Sequence, residues 1–194
     1  MARTQAADYD KKRDAITEQA AKLFSKHGFA GASVAQLAAR CKVSKALIYH
    51  YYPSKEAILF DVMSEHVDTL LATTAPAGHQ GESPEAALRS MTRALLRAYV
   101  GAADRQKVLL YELQSLPRKN RDEIVAKQRA VIAQIESLLV RAKPALKRNK
   151  PKLRAKVMLF FGMLNWTHTW FNESGPISRD GLADMAAETI LKSL

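Results

Sequence analysis

The side chains best suited to chemistry lie between Ser33 and Lys55, where hydroxyl, phenol and ammonium groups follow one another closely. Hydroxyl and ammonium groups donate hydrogen bonds to phosphate oxygens, and lysine also donates to guanine O6 and N7. Lys55 stands at the predicted start of a helix, whose spare N–H groups and positive dipole end favour a bound phosphate. These residue types therefore indicate recognition of a nucleic acid.

Two short helices joined by a tight turn are predicted to carry these side chains. Ser33 and Gln36 form an S-x-x-Q capping box at the start of the first helix. The apolar residues of that helix share one face: Val34, Leu37 and Ala38. Residues 41–43 form the turn, Ser44 is a second N-cap, and Pro53 ends the second helix because proline disfavours helical geometry in the residue before it. Such a pair resembles a helix-turn-helix, whose second helix enters the DNA major groove.

Composition and charge agree with this interpretation. The 194-residue chain is 47% hydrophobic and carries a net charge of +11, which suits a packed protein with a polyanionic partner. Residues 1–60 hold ten basic and five acidic side chains, and residues 141–156 hold eight basic and no acidic ones. Cys41 is the single cysteine, which excludes an intrachain disulfide and favours a reducing compartment. No secretory signal or membrane span is expected, so the predicted location is the cytoplasm.

Helical periodicity extends over the whole chain, and the predicted fold class is all-α with about nine helices. Residues 1–7 are predicted to be a disordered arm, followed by a first helix from about Tyr9 to His27. We expect a helix-turn-helix domain at residues 1–54, a connecting helix at 55–73, and a larger regulatory and dimerisation domain at 74–194. Residues 73–85 are predicted to form a loop. Residues 153–171 are apolar almost all round, which predicts burial in the core and in a subunit interface.

The segment LFSKHGFAGASVAQLAARCKVSKALIYHYYPSKEAIL, residues 23–59, resembles the TetR family of bacterial transcriptional regulators. The specific part is VSK-x-x-x-YHYY-x-SKE, from Val43 to Glu56. The resemblance implies a homodimeric repressor that binds a palindromic operator in double-stranded DNA and is released by a small-molecule effector. The rest of the chain matches that family only in outline, as a helical regulatory domain.

The resemblance also assigns roles within the helix-turn-helix. The residues implied to face base edges are Lys45, Ala46, Leu47 and Tyr49. The residues implied to hold the DNA backbone are Ser33, Ser44, Tyr51 and Lys55. His50 is open between DNA contact and core packing, whereas Ile48 and Tyr52 are expected to pack inside. Lys42 replaces the glycine usual in the family; a left-handed conformation there would cost about 1–2 kcal/mol, and a phosphate contact would recover part of it. Leu47 replaces a smaller or hydroxyl residue.

A second, shorter resemblance concerns the effector. LNWTHTWFNESGPIS, residues 164–178, is similar to the tail of regulators that sense acyl-CoA thioesters. The basic residues around 143–154 could bind CoA phosphates, or they could form an ordinary solvated loop. The candidate ligand-binding residues are Met63, His66, Met91, Tyr99, Tyr111, Asn165, Trp166 and His168, although such side chains at helical spacing are also typical of plain core. A non-CoA aromatic or cationic effector is the alternative.

Enzymatic activity is not expected from this sequence. It contains no H-E-x-x-H, G-x-S-x-G, P-loop or G-x-G-x-x-G motif, and Cys41 lies in the helix-turn-helix. We therefore predict no catalytic residue, no metal site and no cofactor. The remaining alternative is a basic protein that binds DNA without reading its sequence, a class that competition with random DNA would separate from a regulator.

Overall fold

The chain folds into α-helices, and the computed structural model describes residues 2–75 and 81–193, with side chains described from Tyr9 onward. No β-strand occurs within those residues, so the predicted all-α fold class is confirmed. The α-helices are, in chain order, α1 (Ala2–Gly31), α2 (Val34–Cys41), α3 (Lys45–Tyr51), α4 (Lys55–Thr73), α5 (Pro84–Gly101), α6 (Ala103–Tyr111), α7 (Arg118–Ala142), α8 (Lys150–Asn165), α9 (Thr167–Trp170) and α10 (Arg179–Lys192). Two 3₁₀ helices, Leu113–Ser115 and Pro144–Arg148, precede α7 and α8.

The first helix is longer than its sequence pattern suggested. α1 begins at Ala2, so the predicted disordered arm and the predicted start near Tyr9 are wrong for residues 2–8; Met1 lies outside the described residues. Alanine, arginine and glutamine favour the helix, and no glycine or proline interrupts the segment. Gly28 breaks the regular helix with a positive φ of 71°, close to the predicted end at His27, and one further turn leads to Gly31.

Packing divides the chain into two compact units. The first consists of residues 1–67 and 102–125. Within it, α6 packs against α1, and Arg105 of α6 donates to Thr17 Oγ1 at 3.3 Å and pairs with Glu65. Its apolar core combines residues of α1, α2, α3 and α4: Leu23, Phe24, Leu37, Ile48, Ile58 and Leu59. This core supports both helices of the predicted helix-turn-helix.

The second unit consists of residues 68–101 and 126–194. Here α5 packs along α10, and Arg93 of α5 makes a two-pronged bond to Asp184 of α10, at 2.8 and 2.6 Å. The buried apolar side chains come from several helices: Leu88, Leu95, Ile135, Leu139, Val157 and Phe160. At the end of α10, the buried Lys156 of α8 donates to the carbonyl and, at 2.9 Å, to the Oγ of Ser193.

The predicted domain division at residues 54 and 74 stays a prediction. The packing units are drawn differently, since they group α6 with the N-terminal helices. Residues 76–80 of the predicted loop at 73–85 lie outside the described residues. Gly81 to Ser83, on its far side, are irregular as expected, and α5 starts at Pro84. Within the part of the chain that is described, no helix combines the length and the apolar character needed to cross a membrane.

Candidate nucleic-acid interface

The start of α2 is fixed by the predicted capping box. Ser33 Oγ accepts from the Gln36 amide at 3.2 Å, and Gln36 Oε1 accepts from the Ser33 amide at 2.8 Å. Val34, Leu37 and Ala38 are buried, as the helical spacing predicted. The Ser33 hydroxyl thus caps its own helix, and the residue as a whole stays exposed.

The turn between α2 and α3 depends on one left-handed residue. Lys42 has φ 56° and ψ 41°, which is the left-handed conformation considered for this position. It lets the Lys42 amide donate to Ala39 O at 3.2 Å and the Val43 amide to Ala38 O at 3.0 Å. These bonds satisfy carbonyls at the end of α2. A side chain in this conformation costs about 1–2 kcal/mol, so Lys42 is retained at the expense of stability. Beside it, burial raises the pKa of the Cys41 thiol.

α3 separates an inward face from an outward one. Ser44 Oγ caps the helix by accepting from the Leu47 amide at 3.1 Å, as predicted. Ile48 is fully buried and Tyr52 is nearly so, which confirms their predicted packing role. The exposed side chains of this helix are Lys45, Ala46, Tyr49 and His50. Leu47 and Tyr51 are half-buried beside them.

The exposed residues of α3 lie at positions i, i+1, i+4 and i+5, and such positions form one side of a helix. Lys45 Nζ lies 5.7 Å from the centre of the Tyr49 ring, a cation–π distance. The outward side of α3 therefore presents an ammonium, a methyl, a phenol and an imidazole to an approaching partner. These groups match the hydrogen-bonding and methyl-contacting functions that base edges require.

A partly buried polar cluster that was not predicted from the sequence holds the end of α3. Tyr52 Oη donates to Asp61 Oδ2 at 2.5 Å, and Arg13 donates to the same carboxylate through Nε at 3.0 Å and Nη2 at 2.7 Å. Burial and the bond to Asp61 raise the pKa of Tyr52. Through these bonds Arg13 joins α1 to α4. The signal available in the sequence was an acid at Asp61 within the apolar row that includes Ile58.

Two further candidate DNA contacts have partners inside the first unit. The Tyr51 ring lies 4.6 Å from the Tyr9 ring of α1, tilted by 34°. Lys55 Nζ donates to Phe29 O at 2.7 Å and to Ala32 O at 2.9 Å. The predicted contacts of both residues with DNA stay predictions. The start of α4 is capped by Ser54, whose Oγ accepts from the Ala57 amide at 3.2 Å.

Three candidate ligand-binding residues belong to the first unit, and they differ in environment. Met63 and His66 of α4 are buried, whereas Tyr111 at the end of α6 is exposed. His66 Nε2 lies 2.6 Å from Gln106 Oε1, so the imidazole donates to that buried amide. Burial lowers the pKa of His66, which keeps the ring neutral. Their role in binding a ligand stays a prediction.

The other five candidates belong to the second unit. Met91 and Tyr99 of α5 are buried, Asn165 is half-buried, and Trp166 and His168 are exposed. His168 Nδ1 donates to Asn165 O at 2.7 Å. Trp166 lines an open apolar groove of about 900 Å³, whose lining does not include the other four candidates. The main apolar lining residues are Met158, Leu159, Met163, Trp166, Trp170, Leu182 and Met185.

The basic residues at 141–156 lie along the end of α7, the second 3₁₀ helix and the start of α8. Arg154 pairs with Glu136 at 3.3 Å, and Lys156 binds Ser193. The other six are exposed: Arg141, Lys143, Lys147, Arg148, Lys150 and Lys152. We refer to these six as the basic connector. Two of its members, Lys143 and Lys150, stand next to or at a helix start, where positive charge is electrostatically unfavourable.

Comparison with known proteins places both regions in one family. Residues 16–62 match the family described as bacterial regulatory proteins, tetR family, and residues 81–194 match the tetracyclin repressor-like C-terminal domain. A relative, the HTH-type transcriptional regulator YuxN of Bacillus subtilis, is 34% identical over 131 residues, which cover 66% of this chain and 45% of YuxN. The matched part of the chain thus spans less than half of that relative.

Solved structures resemble the chain over nearly its full length. A TetR-family transcriptional regulator from Bordetella parapertussis is 36% identical with a TM-score of 0.87, over 92% of this chain and 93% of its own. The structure of AibR in complex with isovaleryl coenzyme A and operator DNA is 25% identical with a TM-score of 0.77, over 92% and 97% of the two chains. The helix-turn-helix geometry and the two family matches agree, and the chain belongs to the tetR family of bacterial regulatory proteins.

Proposed function

We propose that this protein is a ligand-responsive transcriptional repressor that binds an operator in double-stranded DNA through α3. The observation that carries the proposal is the division of α3 into a buried side, anchored by Ile48 and Tyr52, and an exposed side. A recognition helix needs both, because its inward residues fix its angle while its outward residues meet the bases. The net charge of +11 supplies the non-specific attraction to phosphates.

The exposed side of α3 would supply the base contacts. Lys45 donates to guanine O6 or N7, Ala46 and the half-buried Leu47 contact thymine methyl groups, and Tyr49 hydrogen-bonds a base edge. His50, exposed beside Tyr49, joins this surface. The proposed backbone contacts frame it: Ser33, Lys42, Ser44 and Tyr51. Phosphate contacts of this kind fix the register of the helix without reading sequence.

A homodimer follows from the apolar surface of the second unit. Leu159 is 68% exposed, Trp166 61% and Trp170 56%, and these residues share the groove between α8, α9 and α10 with Met158 and Met185. Soluble chains seldom leave such a continuous apolar patch open. Covering it with the same patch of a second copy would give a two-fold interface. Two copies of α3 would then read a palindromic operator.

For the effector, we infer an acyl-CoA thioester. The similar regulator AibR was solved with isovaleryl coenzyme A and operator DNA, and the basic connector offers six exposed cations for the phosphates of such a ligand. The eight candidate ligand-binding residues identified from the sequence stay proposals for the acyl part. An aromatic or cationic effector without CoA is the competing possibility, and the effector assay must include it.

The DNA-binding proposal is tested by selection from a randomised DNA pool with the full chain. We expect recovered sequences to share an inverted repeat, bound at least about 10³-fold more tightly than random DNA. Equal affinity for selected and random DNA would instead identify a sequence-independent basic protein and refute the proposal.

The effector proposal is tested separately by titrating acyl-CoAs of increasing chain length against the protein–operator complex. Release by an acyl-CoA but not by free CoA is expected. The double variant Lys147→Glu/Arg148→Glu should weaken acyl-CoA binding in calorimetry and leave operator affinity within about twofold, because the basic connector lies outside the helix-turn-helix. Release only by aromatic or cationic compounds, with no acyl-CoA heat, would exclude the CoA class.

A further inference from the structure

Lys55 connects parts of the chain that are distant in sequence. Its ammonium donates to Phe29 O at 2.7 Å and Ala32 O at 2.9 Å, and it lies 4.1 Å from the centre of the Phe29 ring. Phe29 lies in the last turn of α1, and Ala32 directly precedes Ser33. Lys55 is the first residue of α4. The half-buried side chain therefore reaches from the start of α4 back to the point where α2 begins.

These contacts occupy the ammonium group. A lysine has three N–H donors, of which two meet carbonyl oxygens here and the ring of Phe29 faces the charge on a third side. The final carbonyls of a helix also carry partial negative charge, so a cation placed on them is stabilised. A DNA phosphate would have to displace these partners in order to bind the same group.

The surroundings of Lys55 favour the same interpretation. Glu56 stands beside it in the first turn of α4, where its carboxylate opposes a second anion. Ser54 Oγ already accepts from the Ala57 amide at 3.2 Å, so one of the N–H groups that a phosphate would use has a partner. The start of α4 is thus less suited to phosphate than the sequence pattern of a lysine at a helix start suggested.

The position of these bonds gives them a specific consequence. Ala32 comes directly before the cap of α2, and Lys55 follows α3 by a short connection through Pro53. The bond from Lys55 to Ala32 therefore joins the entrance and the exit of the helix-turn-helix. The cluster at Asp61 supports the end of the motif separately, through Tyr52 and Arg13.

We propose that Lys55 is a positioning residue that closes the helix-turn-helix by binding the carbonyls of Phe29 and Ala32, and that it does not contact a phosphate. The inference rests on the proposed DNA-binding function, because it assigns how α3 is held for that function. The sequence pattern alone does not distinguish a positioning role of Lys55 from a phosphate contact, because either role would make a lysine at this position important for operator binding.

The test compares salt dependence in Lys55→Met and Lys42→Met, two variants that each lose one ammonium. Loss of a phosphate contact lowers the slope of log K against log salt by about 0.9 per contact. We expect this change for the exposed Lys42, whereas Lys55→Met should weaken operator binding at least tenfold with the parent's slope. A slope reduced in Lys55→Met as much as in Lys42→Met would overturn the proposal.

Replacement by arginine gives a second, independent readout. Lys55→Arg keeps the positive charge and can bind phosphate, but a planar guanidinium does not reproduce a compact ammonium between two carbonyls and a ring. We expect Lys55→Arg to bind the operator as poorly as Lys55→Met while both keep the parent's affinity for random DNA. Restoration of operator binding by arginine would refute positioning in favour of charge.

Hydrogen exchange tests the same bond without DNA. Amides at the start of α2 should exchange at least about fivefold faster in Lys55→Met than in the parent, with exchange in α10 unchanged. Unchanged exchange at α2 would overturn the proposal, and Lys55→Gln, which retains a donor, replaces the methionine variant if the latter fails to fold. If the parent protein showed no preference for an operator, the proposed DNA-binding function would be refuted. Hydrogen exchange at the start of α2 would still decide whether Lys55 has the positioning role.

Discussion

Replacing Lys42 separates stability from DNA binding in a way that tests the turn directly. Lys42 is the one non-glycine residue with a positive φ among the described residues, at 56°. A side chain in this region costs about 1–2 kcal/mol, whereas glycine adds about 0.4–1 kcal/mol of unfolded-state entropy that folding must overcome. The difference predicts that Lys42→Gly stabilises the protein by about 1 kcal/mol. For a chain of this size, that corresponds to a rise in melting temperature of about 2–4 °C.

The matched control is Lys42→Ala, which removes the ammonium but keeps a Cβ in the left-handed conformation. Both variants should bind the operator more weakly than the parent, because both lose the proposed phosphate contact. Only the glycine variant should be more stable in urea denaturation followed by circular dichroism. If Lys42→Gly were no more stable than Lys42→Ala, the strain assigned to this residue would be wrong.

Three further perturbations probe other parts of the molecule. Tyr52→Phe removes the buried bond to Asp61 and should lower the free energy of unfolding by about 1.5–3 kcal/mol in urea titrations; a loss below 0.5 kcal/mol would dismiss the cluster as a support of α3. Burial lowers the pKa of His66, so its contribution to stability is present above the unfolded pKa of about 6.5 and is lost as the pH falls. His66→Gln, with an amide beside Gln106, should therefore reduce the loss of stability between pH 7.5 and 5, and an unchanged pH profile would speak against a neutral buried imidazole. Leu159→Glu should give a folded monomer in sedimentation experiments, since this residue is exposed in the single chain; a dimer of parental strength would exclude the apolar groove as the interface.

Local features of the helix-turn-helix were predictable from the sequence because their partners are close in the chain. Ser33 and Gln36, three residues apart, cap α2, and Ser44 caps α3 through the amide of Leu47. The inward position of Ile48 follows from the helical period alone. The left-handed conformation of Lys42 was considered because the family usually has glycine at this position, and the structure shows that Lys42 adopts it.

Features that depend on distant partners were not predictable in the same way. Asp61 meets Arg13 across 48 residues, and Lys55 meets Phe29 across 26, so neither contact leaves a local pattern in the sequence. A lysine at a helix start has the same sequence appearance whether it faces a phosphate or a carbonyl. The choice between them depends on where α1 ends in space.

The effector site shows a different limit of sequence reasoning. An apolar or aromatic residue at helical spacing suits a ligand cavity and a packed core equally well, and buried Met63 and Met91 belong to different packing units. The residue type therefore does not indicate which side chains share a cavity. Trp166 was expected near a ligand or an interface, and its exposure on the apolar groove favours the interface.

The exposed side of α3 is proposed to read base sequence. Its most direct test is the complete base-substitution profile of operator binding for Lys45→Ala, compared with the parent and with Lys42→Ala. We predict that Lys45→Ala loses preference at one position of each half-site, by about 1–3 kcal/mol, while Lys42→Ala weakens binding to all sequences equally. A Lys45→Ala profile identical in shape to that of the parent would contradict the claim.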